Sequence, residues 1–294
     1  MAHTILLPVD GSPSAGRAAE MLAGYGGERA QLDTVVLNVQ SPPMALWPEA
    51  AAAAGVVESA LLEAGQQLAG TAAARLAQAG LRARAAARLG LPAEGILREA
   101  QAVQAALVVM GTRGEGMAHG FALGSVAMRV VHGGSVPVCL VQPQAKLPAQ
   151  LGRKLRVLLA LDGSEPALRA AQLLAAWRGW LGELDVQIAH VQQPLTLLET
   201  LLPPHRDVIE QWSTRSGEEA TQAARELFAK EGIRHRLHLT VGDAALEIAH
   251  LADEAGCELL AMGTRGRGAA HHALIGSVAL KAAALCALPA LLVR

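Results

Sequence analysis

The stretch Gly111-Thr-Arg-Gly114-Glu-Gly-Met-Ala-His-Gly-Phe-Ala-Leu-Gly124-Ser125 occurs twice in this chain, and its second copy runs from Gly263 through Gly266 to Gly276-Ser277. Both copies read G-x-x-G-(nine residues)-G-S, after an apolar run ending in methionine and before a segment typical of a helix. Glycines let a backbone approach a bound anion closely, and the first turn of a helix offers it free N–H groups. The sequence therefore predicts two phosphate-binding loops, which we call the phosphate loops 111–125 and 263–277.

The two copies belong to a repeat that runs through the whole chain. Equivalent residues lie 152 positions apart, as Asp10 and Asp162 do. Between 110–128 and 262–280, 12 of 19 positions are identical. A period of this length indicates a duplicated domain, because solenoid repeats are much shorter. The length of 294 residues also suits about two domains. We predict these domains at 1–143 and 153–294, with a linker containing Pro and Gly between them.

Within each half, apolar and β-branched runs alternate with segments of helical character. In the first half they predict strands at 3–9, 34–39, 82–89, 105–110 and 137–141, and helices at 13–23, 56–79, 92–103 and after the phosphate loop. Ser12 is the predicted N-cap of the first helix, with Pro13 at its first position, and residues 41–48 are predicted to be irregular. The second half repeats this order, with a long helix at 206–230 and an irregular stretch at 192–204.

Strands that alternate with helices favour right-handed crossovers and a parallel sheet covered on both faces. The predicted fold class is α/β: two tandem Rossmann-like domains related by a pseudo-two-fold axis, each with a five-stranded parallel sheet flanked by helices. Ligands of such sheets bind beyond the carboxyl ends of the strands, near the switch in strand order. The phosphate loops and the turns at Asp10 and Asp162 are predicted to lie at such strand ends.

The composition indicates which binding partners and which cellular compartment to expect. A net charge of −1 gives no general attraction to nucleic acid or to an anionic membrane, and an aromatic content of 2% offers few stacking platforms for single strands. Three cysteines without a CxxC pair fit a reducing compartment. The start of the chain does not resemble a signal peptide, and no apolar run approaches the roughly 18 residues of a membrane span. We therefore expect a cytoplasmic protein without nucleic-acid or membrane partners.

With these motifs the chain resembles the universal stress protein family in its tandem two-domain form, over nearly all of both halves. The doubled glycine pattern matches the signature of the family's ATP-binding members. It is accompanied by the turns V-D-G-S and L-D-G-S after the first strand of each half. The resemblance implies the adenine nucleotide alpha hydrolase-like form of the Rossmann-like fold, with ATP and Mg²⁺ as cofactors.

The resemblance also implies a role for each matching residue. Asp10 and Asp162 would contact the ribose hydroxyls, since a carboxylate accepts the hydrogen bonds that a diol donates. Val39 and Val191 would hold the adenine edge through backbone groups. Residues implied to wrap the phosphates are Gly111, Gly114, Gly124, Ser125 and Val126 in the first half and Gly263, Gly266, Gly276, Ser277 and Val278 in the second. The implied binding set is completed by Pro8, Arg113, Ala160 and Arg265. Mg²⁺ would be held mainly by phosphate oxygens and water.

Simpler readings of the same residues stay open. Glycine-rich turns also occur only to pack a helix on a strand, and Asp10 and Asp162 could only cap the helices that follow them. Arg113 and Arg265 could equally reach phosphate or be solvated at the surface. The halves also differ in charge, because Glu115 in the first loop is replaced by Arg267 in the second. A guanidinium attracts a triphosphate and a carboxylate repels it, so we expect the second site to bind ATP more tightly.

The function that the sequence favours is ATP binding by a stress-response regulatory protein, with slow hydrolysis at most. The chain has neither a G-x-x-x-x-G-K-[ST] loop nor an assigned catalytic base, and no catalytic residue is predicted. The alternatives are an ATPase or nucleotidyl-transferring enzyme of the same fold, and a nucleotide-free protein-interaction module. Apolar last strands at sheet edges are usually paired. In the family that the chain resembles, the equivalent strands mediate dimer contacts, so the resemblance implies an internal pseudo-dimer, and a homodimer through these strands is a further expectation.

Overall fold

The computed structural model describes residues 3–42, 48–114, 123–192, 206–266 and 276–294, with the backbone alone at 48–54 and 206–214. It divides into two compact units, unit 1 (Met1–Ala145) and unit 2 (Lys146–Arg294). The predicted irregular stretches lie mainly outside the described residues, at 43–47 and 193–205. Within the described helices, none has both the length and the apolar character needed to cross a bilayer.

Unit 1 alternates strands with helices. Its described strands are β1 (His3–Pro8), β2 (Leu32–Gln40), β3 (Arg82–Leu89), β4 (Leu107–Gly111) and β5 (Val138–Val141). Its helices are α1 (Pro13–Ala23), α2 (Pro48–Gln78), α3 (Pro92–Ala102) and α4 (Ser125–Gly133), with a 3₁₀ turn at Arg29–Gln31. The strands pair in parallel in the order β3-β2-β1-β4-β5. The strand order therefore switches between β1 and β4, which is where such sheets bind ligands.

Unit 2 repeats this architecture. Its described strands are β6 (Lys154–Ala160), β7 (Glu183–Gln192), β8 (Arg234–Val241), β9 (Leu259–Gly263) and β10 (Ala290–Val293). Its helices are α5 (Glu165–Leu181), α6 (Arg206–Lys230), α7 (Ala244–Glu254) and α8 (Ser277–Leu285). All strand pairs in the order β8-β7-β6-β9-β10 are parallel. The predicted α/β class, with a parallel sheet flanked by helices in each of two tandem units, is confirmed.

The cores form because the central strands are apolar on both faces. Ile5, Leu6 and Leu7 of β1 have no exposed surface, and Leu158 and Leu159 of β6 repeat this in unit 2. Strands buried on both sides read as continuous apolar runs, as expected for parallel sheets under two layers of helix. The carboxyl ends of these strands are thereby held rigidly, and the turns that follow them carry the candidate site.

Helix starts follow local sequence signals, with one correction. Ser12 caps α1 through its Oγ, which accepts from the N–H of Ala15, and Pro13 takes the first helical position, as predicted. The prediction that the second helix begins at Val56 is wrong, because α2 begins at Pro48. A proline is tolerated in the first turn of a helix, and the alanines that follow it are the strongest helix formers.

Candidate functional site

The turn after β1 fixes the first candidate side chain, Asp10. Asp10 Oδ1 accepts hydrogen bonds from the Ser12 backbone N–H at 3.0 Å and from Ser12 Oγ at 2.6 Å. Gly11 between them has φ +84°, a left-handed conformation that favours glycine. Such Asx turns orient a carboxylate by short-range hydrogen bonds. The side chain that caps α1 is Ser12, so Asp10 precedes the cap and is not itself the capping residue.

A backbone hydrogen bond closes the phosphate loop of unit 1 at its base. The Gly124 N–H donates to the Thr112 carbonyl oxygen at 2.8 Å. A Cβ on Gly124 would lie 3.1 Å from that oxygen, so a larger residue would push the two ends of the loop apart. Glycine at this position therefore brings the end of β4 and the start of α4 together.

Helix α4 begins at the mouth of this loop. Gly124 is its N-cap and Ser125 its first residue, and in the described part of unit 1 no side chain caps this helix end. The N–H groups of an uncapped first turn, together with the helix dipole, favour an anion at that position. The local structure is therefore suited to phosphate, as the sequence pattern predicts.

Unit 1 contains a cavity of about 250 Å³ at the carboxyl ends of β1, β2 and β4. Its lining includes every binding residue predicted for this half: Pro8, Asp10, Val39, Gly111, Arg113, Gly114, Gly124, Ser125 and Val126. These residues come from three strands, two turns and a helix start that are far apart in sequence. The fold thus brings all nine around a single cavity at the switch in strand order.

The same cavity has lining residues that the sequence reasoning missed. They are Val9, Ser12, Ala15, Leu37, Pro92, Ile96, Met110, Thr112 and Ala127. The repeat carried a usable signal for six of the nine, which are identical to their counterparts 152 positions later: Ser12, Ala15, Ile96, Met110, Thr112 and Ala127. Leu37, Pro92 and Ile96, which we call the apolar wall, come from β2 and α3, whereas the phosphate loop follows β4 on the other side of β1. The cavity therefore has one apolar end and one polar end.

In unit 2 the phosphate loop is closed in the same way. The Gly276 N–H donates to the Thr264 carbonyl oxygen at 2.7 Å, and Gly276 is the N-cap of α8 with Ser277 as its first residue. Asp162 Oδ1 accepts from the Ser164 N–H at 3.0 Å. Of the other predicted residues, Ala160 and Val191 lie at the carboxyl ends of β6 and β7, Gly263 ends β9, Arg265 and Gly266 follow it, and Val278 lies in the first turn of α8.

Two features of unit 2 differ from unit 1. Alanines at 189 and 244 replace Leu37 and Pro92 of the apolar wall, and Ala160 replaces Pro8, so all three positions carry smaller side chains. A cavity of about 290 Å³ is lined by the Gly163–Ser164 turn and by α6. The two units therefore present different surroundings to a ligand.

The universal stress protein family matches residues 1–142 and 155–294. The chain belongs to the universal stress protein family. Universal stress protein YxiE of Bacillus subtilis (strain 168) is 30% identical over 149 residues, which is 47% of this chain and 98% of YxiE. A universal stress protein structure from Archaeoglobus fulgidus DSM 4304 superposes with a TM-score of 0.69 and 21% identity, covering 99% of this chain and 96% of that one.

In this tandem universal stress protein, the residues behind the expected difference in affinity, Glu115 and Arg267, lie outside the described residues. The expectation that unit 2 binds ATP more tightly therefore stays a prediction from charge. The backbone of Arg113 and of Arg265, in contrast, is described in both phosphate loops. Each carbonyl oxygen accepts a hydrogen bond from a serine hydroxyl, which ties the loop to the first helix of its unit.

Proposed function

We propose that this universal stress protein binds an adenine nucleotide, ATP with Mg²⁺, in the cavity of unit 1 and at the matching positions of unit 2. Binding would serve to regulate a stress response. The observation that carries the proposal is the convergence of all nine predicted residues of unit 1 on one cavity with an apolar end and a phosphate loop. A nucleotide has the same polarity, with an apolar base at one end and phosphates at the other.

Each part of the nucleotide has a suitable partner in unit 1. Leu37 and Ile96 offer apolar surface to the base beside the backbone of Val39. Asp10 offers a carboxylate oxygen to the ribose hydroxyls. The Gly124 turn and the start of α4 offer N–H groups to the phosphates. Phosphate oxygens and water would supply most of the coordination of Mg²⁺, with the Ser125 hydroxyl as the nearby hard oxygen donor of the protein.

The proposal also includes slow hydrolysis of the bound ATP and a cytoplasmic location. The location is supported by three buried cysteines that are free thiols, as expected of proteins from a reducing compartment. The internal pseudo-dimer and the homodimer through the last strands stay predictions of the sequence.

The proposal is tested by mild denaturation of the freshly purified protein, followed by identification of the released nucleotide. We expect adenine nucleotide, with two per chain if both units are filled and one if only one unit holds its ligand. The ratio of ATP to ADP reports turnover. Absence of nucleotide, together with no rise in melting temperature on adding Mg-ATP, would contradict the proposal, because a ligand of the folded state must stabilise it. That result would favour the protein-interaction module.

A further inference from the structure

The two phosphate loops are tied to their neighbouring helices by different serines. In unit 1, Ser14 Oγ donates to the Arg113 carbonyl oxygen at 2.5 Å and accepts from the Arg113 N–H at 3.4 Å. In unit 2 the residue matching Ser14 is Pro166, and Ser164 Oγ donates to the Arg265 carbonyl oxygen at 3.1 Å instead. Both loops are therefore anchored, but unit 1 uses an additional serine to do it.

This additional serine changes what the other serine can do. A hydroxyl has one hydrogen to donate. Because Ser14 holds the loop, Ser12 Oγ donates its hydrogen to Asp10 Oδ1 at 2.6 Å, and the Ser12 N–H donates to the same oxygen. In unit 2 the hydroxyl hydrogen of Ser164 goes to the loop, and this serine reaches Asp162 Oδ1 through its N–H.

The serine ends of these hydrogen bonds in unit 1 are buried, whereas Asp10 itself is exposed. Ser12 is 3% exposed and Ser14 is 1% exposed. A short hydrogen bond from a hydroxyl to a carboxylate is charge-assisted, and burial of Ser12 fixes the position of its donor. With Oδ1 held by two donors from Ser12, the carboxylate of Asp10 has one orientation. In that orientation Oδ2 lies beside Gly114 of the phosphate loop.

We propose that Ser14 is a positioning residue that sets how strictly unit 1 recognises the ribose hydroxyls of its nucleotide. Ser14 acts through Ser12, which holds Asp10, and Asp10 touches the ribose. Unit 2, with Pro166 at the matching position, discriminates less strictly between nucleotides with and without these hydroxyls. The inference rests on the proposed nucleotide binding and adds to it a difference in specificity between the units.

Anchoring of the phosphate loop does not by itself explain why unit 1 has a second serine, Ser14. Anchoring the loop needs only one serine, as Ser164 demonstrates in unit 2. The space for Ser14 Oγ exists because Gly111 has no side chain, and a Cβ there would collide with this hydroxyl. In unit 2 the matching Gly263 packs against Pro166. What Ser14 adds is the release of the Ser12 hydroxyl for Asp10.

The test uses the full-length chain with unit 2 silenced by Gly266→Val, which places a side chain against Asp162. Calorimetric titrations with Mg-ATP and with Mg-2′,3′-dideoxy-ATP give the ratio of the two dissociation constants.

In Ser14→Ala, Ser12 is expected to turn to the Arg113 carbonyl oxygen, as Ser164 does in unit 2. The preference for ATP should then fall about tenfold, the size expected for misplacing one hydrogen bond to a charged group. Affinity for the dideoxy nucleotide should stay almost unchanged. Ser59→Ala, at an exposed serine of α2, should leave both affinities unchanged.

The converse variant is Pro166→Ser, with unit 1 silenced by Gly114→Val. Its new hydroxyl should anchor the Arg265 carbonyl oxygen and release Ser164 for Asp162, so the preference for ATP should rise. A gain cannot result from misfolding, so this variant decides the question even if Ser14→Ala is unstable. Equal losses for both nucleotides in Ser14→Ala, or an unchanged preference in Pro166→Ser, would overturn the inference and leave nucleotide binding intact. If the unsubstituted chain binds neither nucleotide, the proposed function fails with it.

Discussion

The carboxylate of Asp10 lies against the backbone of Gly114, so closely that a Cβ on this glycine would be 2.8 Å from Asp10 Oδ2. Unit 2 repeats the relationship, with 2.6 Å between a Cβ on Gly266 and Asp162 Oδ2. The second glycine of each phosphate loop therefore has no room for a side chain, because the aspartate carboxylate lies against it. This contact joins the group proposed for the ribose to the loop proposed for the phosphates.

Substituting this glycine should disable unit 1. In Gly114→Ala the new methyl group has to displace either Asp10 or the loop, and we expect ATP to bind this unit at least about tenfold more weakly, since a charged hydrogen bond is misplaced. Calorimetric titration with Mg-ATP measures the change. The matched control is Gly70→Ala in α2, where nothing lies within 4 Å of the added Cβ. It should bind normally and unfold at slightly higher temperature, because alanine favours a helix by up to about 1 kcal/mol over glycine.

Removing the carboxylate charge separates a ligand contact from a structural turn. Asparagine matches aspartate in size and supports turns and helix starts about equally well. We therefore expect Asp10→Asn to keep its melting temperature without nucleotide but to bind ATP about tenfold more weakly in unit 1, because a charged acceptor is lost. Asp162→Asn should do the same in unit 2, and the titrations should resolve one strong site in each variant. Two unaltered sites in both variants would leave these aspartates with a structural role alone.

Much of the fold follows from local signals in the sequence. The pairs Ser12-Pro13 and Gly124-Ser125 mark helix starts by the hydrogen bonds and dihedral angles that they support within one turn, and those starts are found as predicted. The beginning of α2 at Pro48 was missed because a proline signals either a loop or a first turn. The alanines that follow Pro48 favour the first turn of a helix over a loop.

The sequence patterns do not predict contacts between residues that are far apart in the chain. Ser14 bonds to Arg113 across 99 positions, and no periodicity or spacing encodes that pair. The apolar wall of the cavity was also missed. Leu37 lies within a predicted strand and Ile96 within a predicted helix, and only the assembled sheet shows that they line the same cavity as the phosphate loop.

A partly buried ion pair should stabilise unit 1. Arg88 holds the buried Glu99 with two hydrogen bonds, of 3.0 Å from Nε and 3.2 Å from Nη2. Arg88→Met leaves a buried carboxylate without its partner, and we expect the free energy of unfolding to fall by about 2 kcal/mol. Adding Glu99→Gln removes the charge and should restore part of the loss in urea titrations. The exposed pair Arg215–Glu219 is the control, and Arg215→Met should cost less than about 0.5 kcal/mol. Equal effects at both pairs would contradict the prediction.

The thiol of Cys139 in β5 should make stability depend on pH in the alkaline range. Burial raises the pKa of this thiol from 9.0 to about 12. The folded state therefore keeps the proton that the unfolded state loses above pH 9. The contribution of Cys139 to the free energy of unfolding is fully present below that pH and is lost as the pH rises toward 12.

Urea titrations between about pH 9 and pH 11 should show this loss as a steeper fall in the unsubstituted chain than in Cys139→Ala, by up to about 1.4 kcal/mol per pH unit for one proton. Val138→Ala, in the same strand and equally buried, is the control. It should lower the free energy of unfolding at every pH because it removes packing, yet keep the slope of the unsubstituted chain. The same burial should keep Cys139 unreactive toward iodoacetamide at about pH 8 until urea unfolds the strand, because the thiolate is the reactive form. Identical slopes in Cys139→Ala and in the unsubstituted chain would show that this thiol titrates alike in the folded and unfolded states.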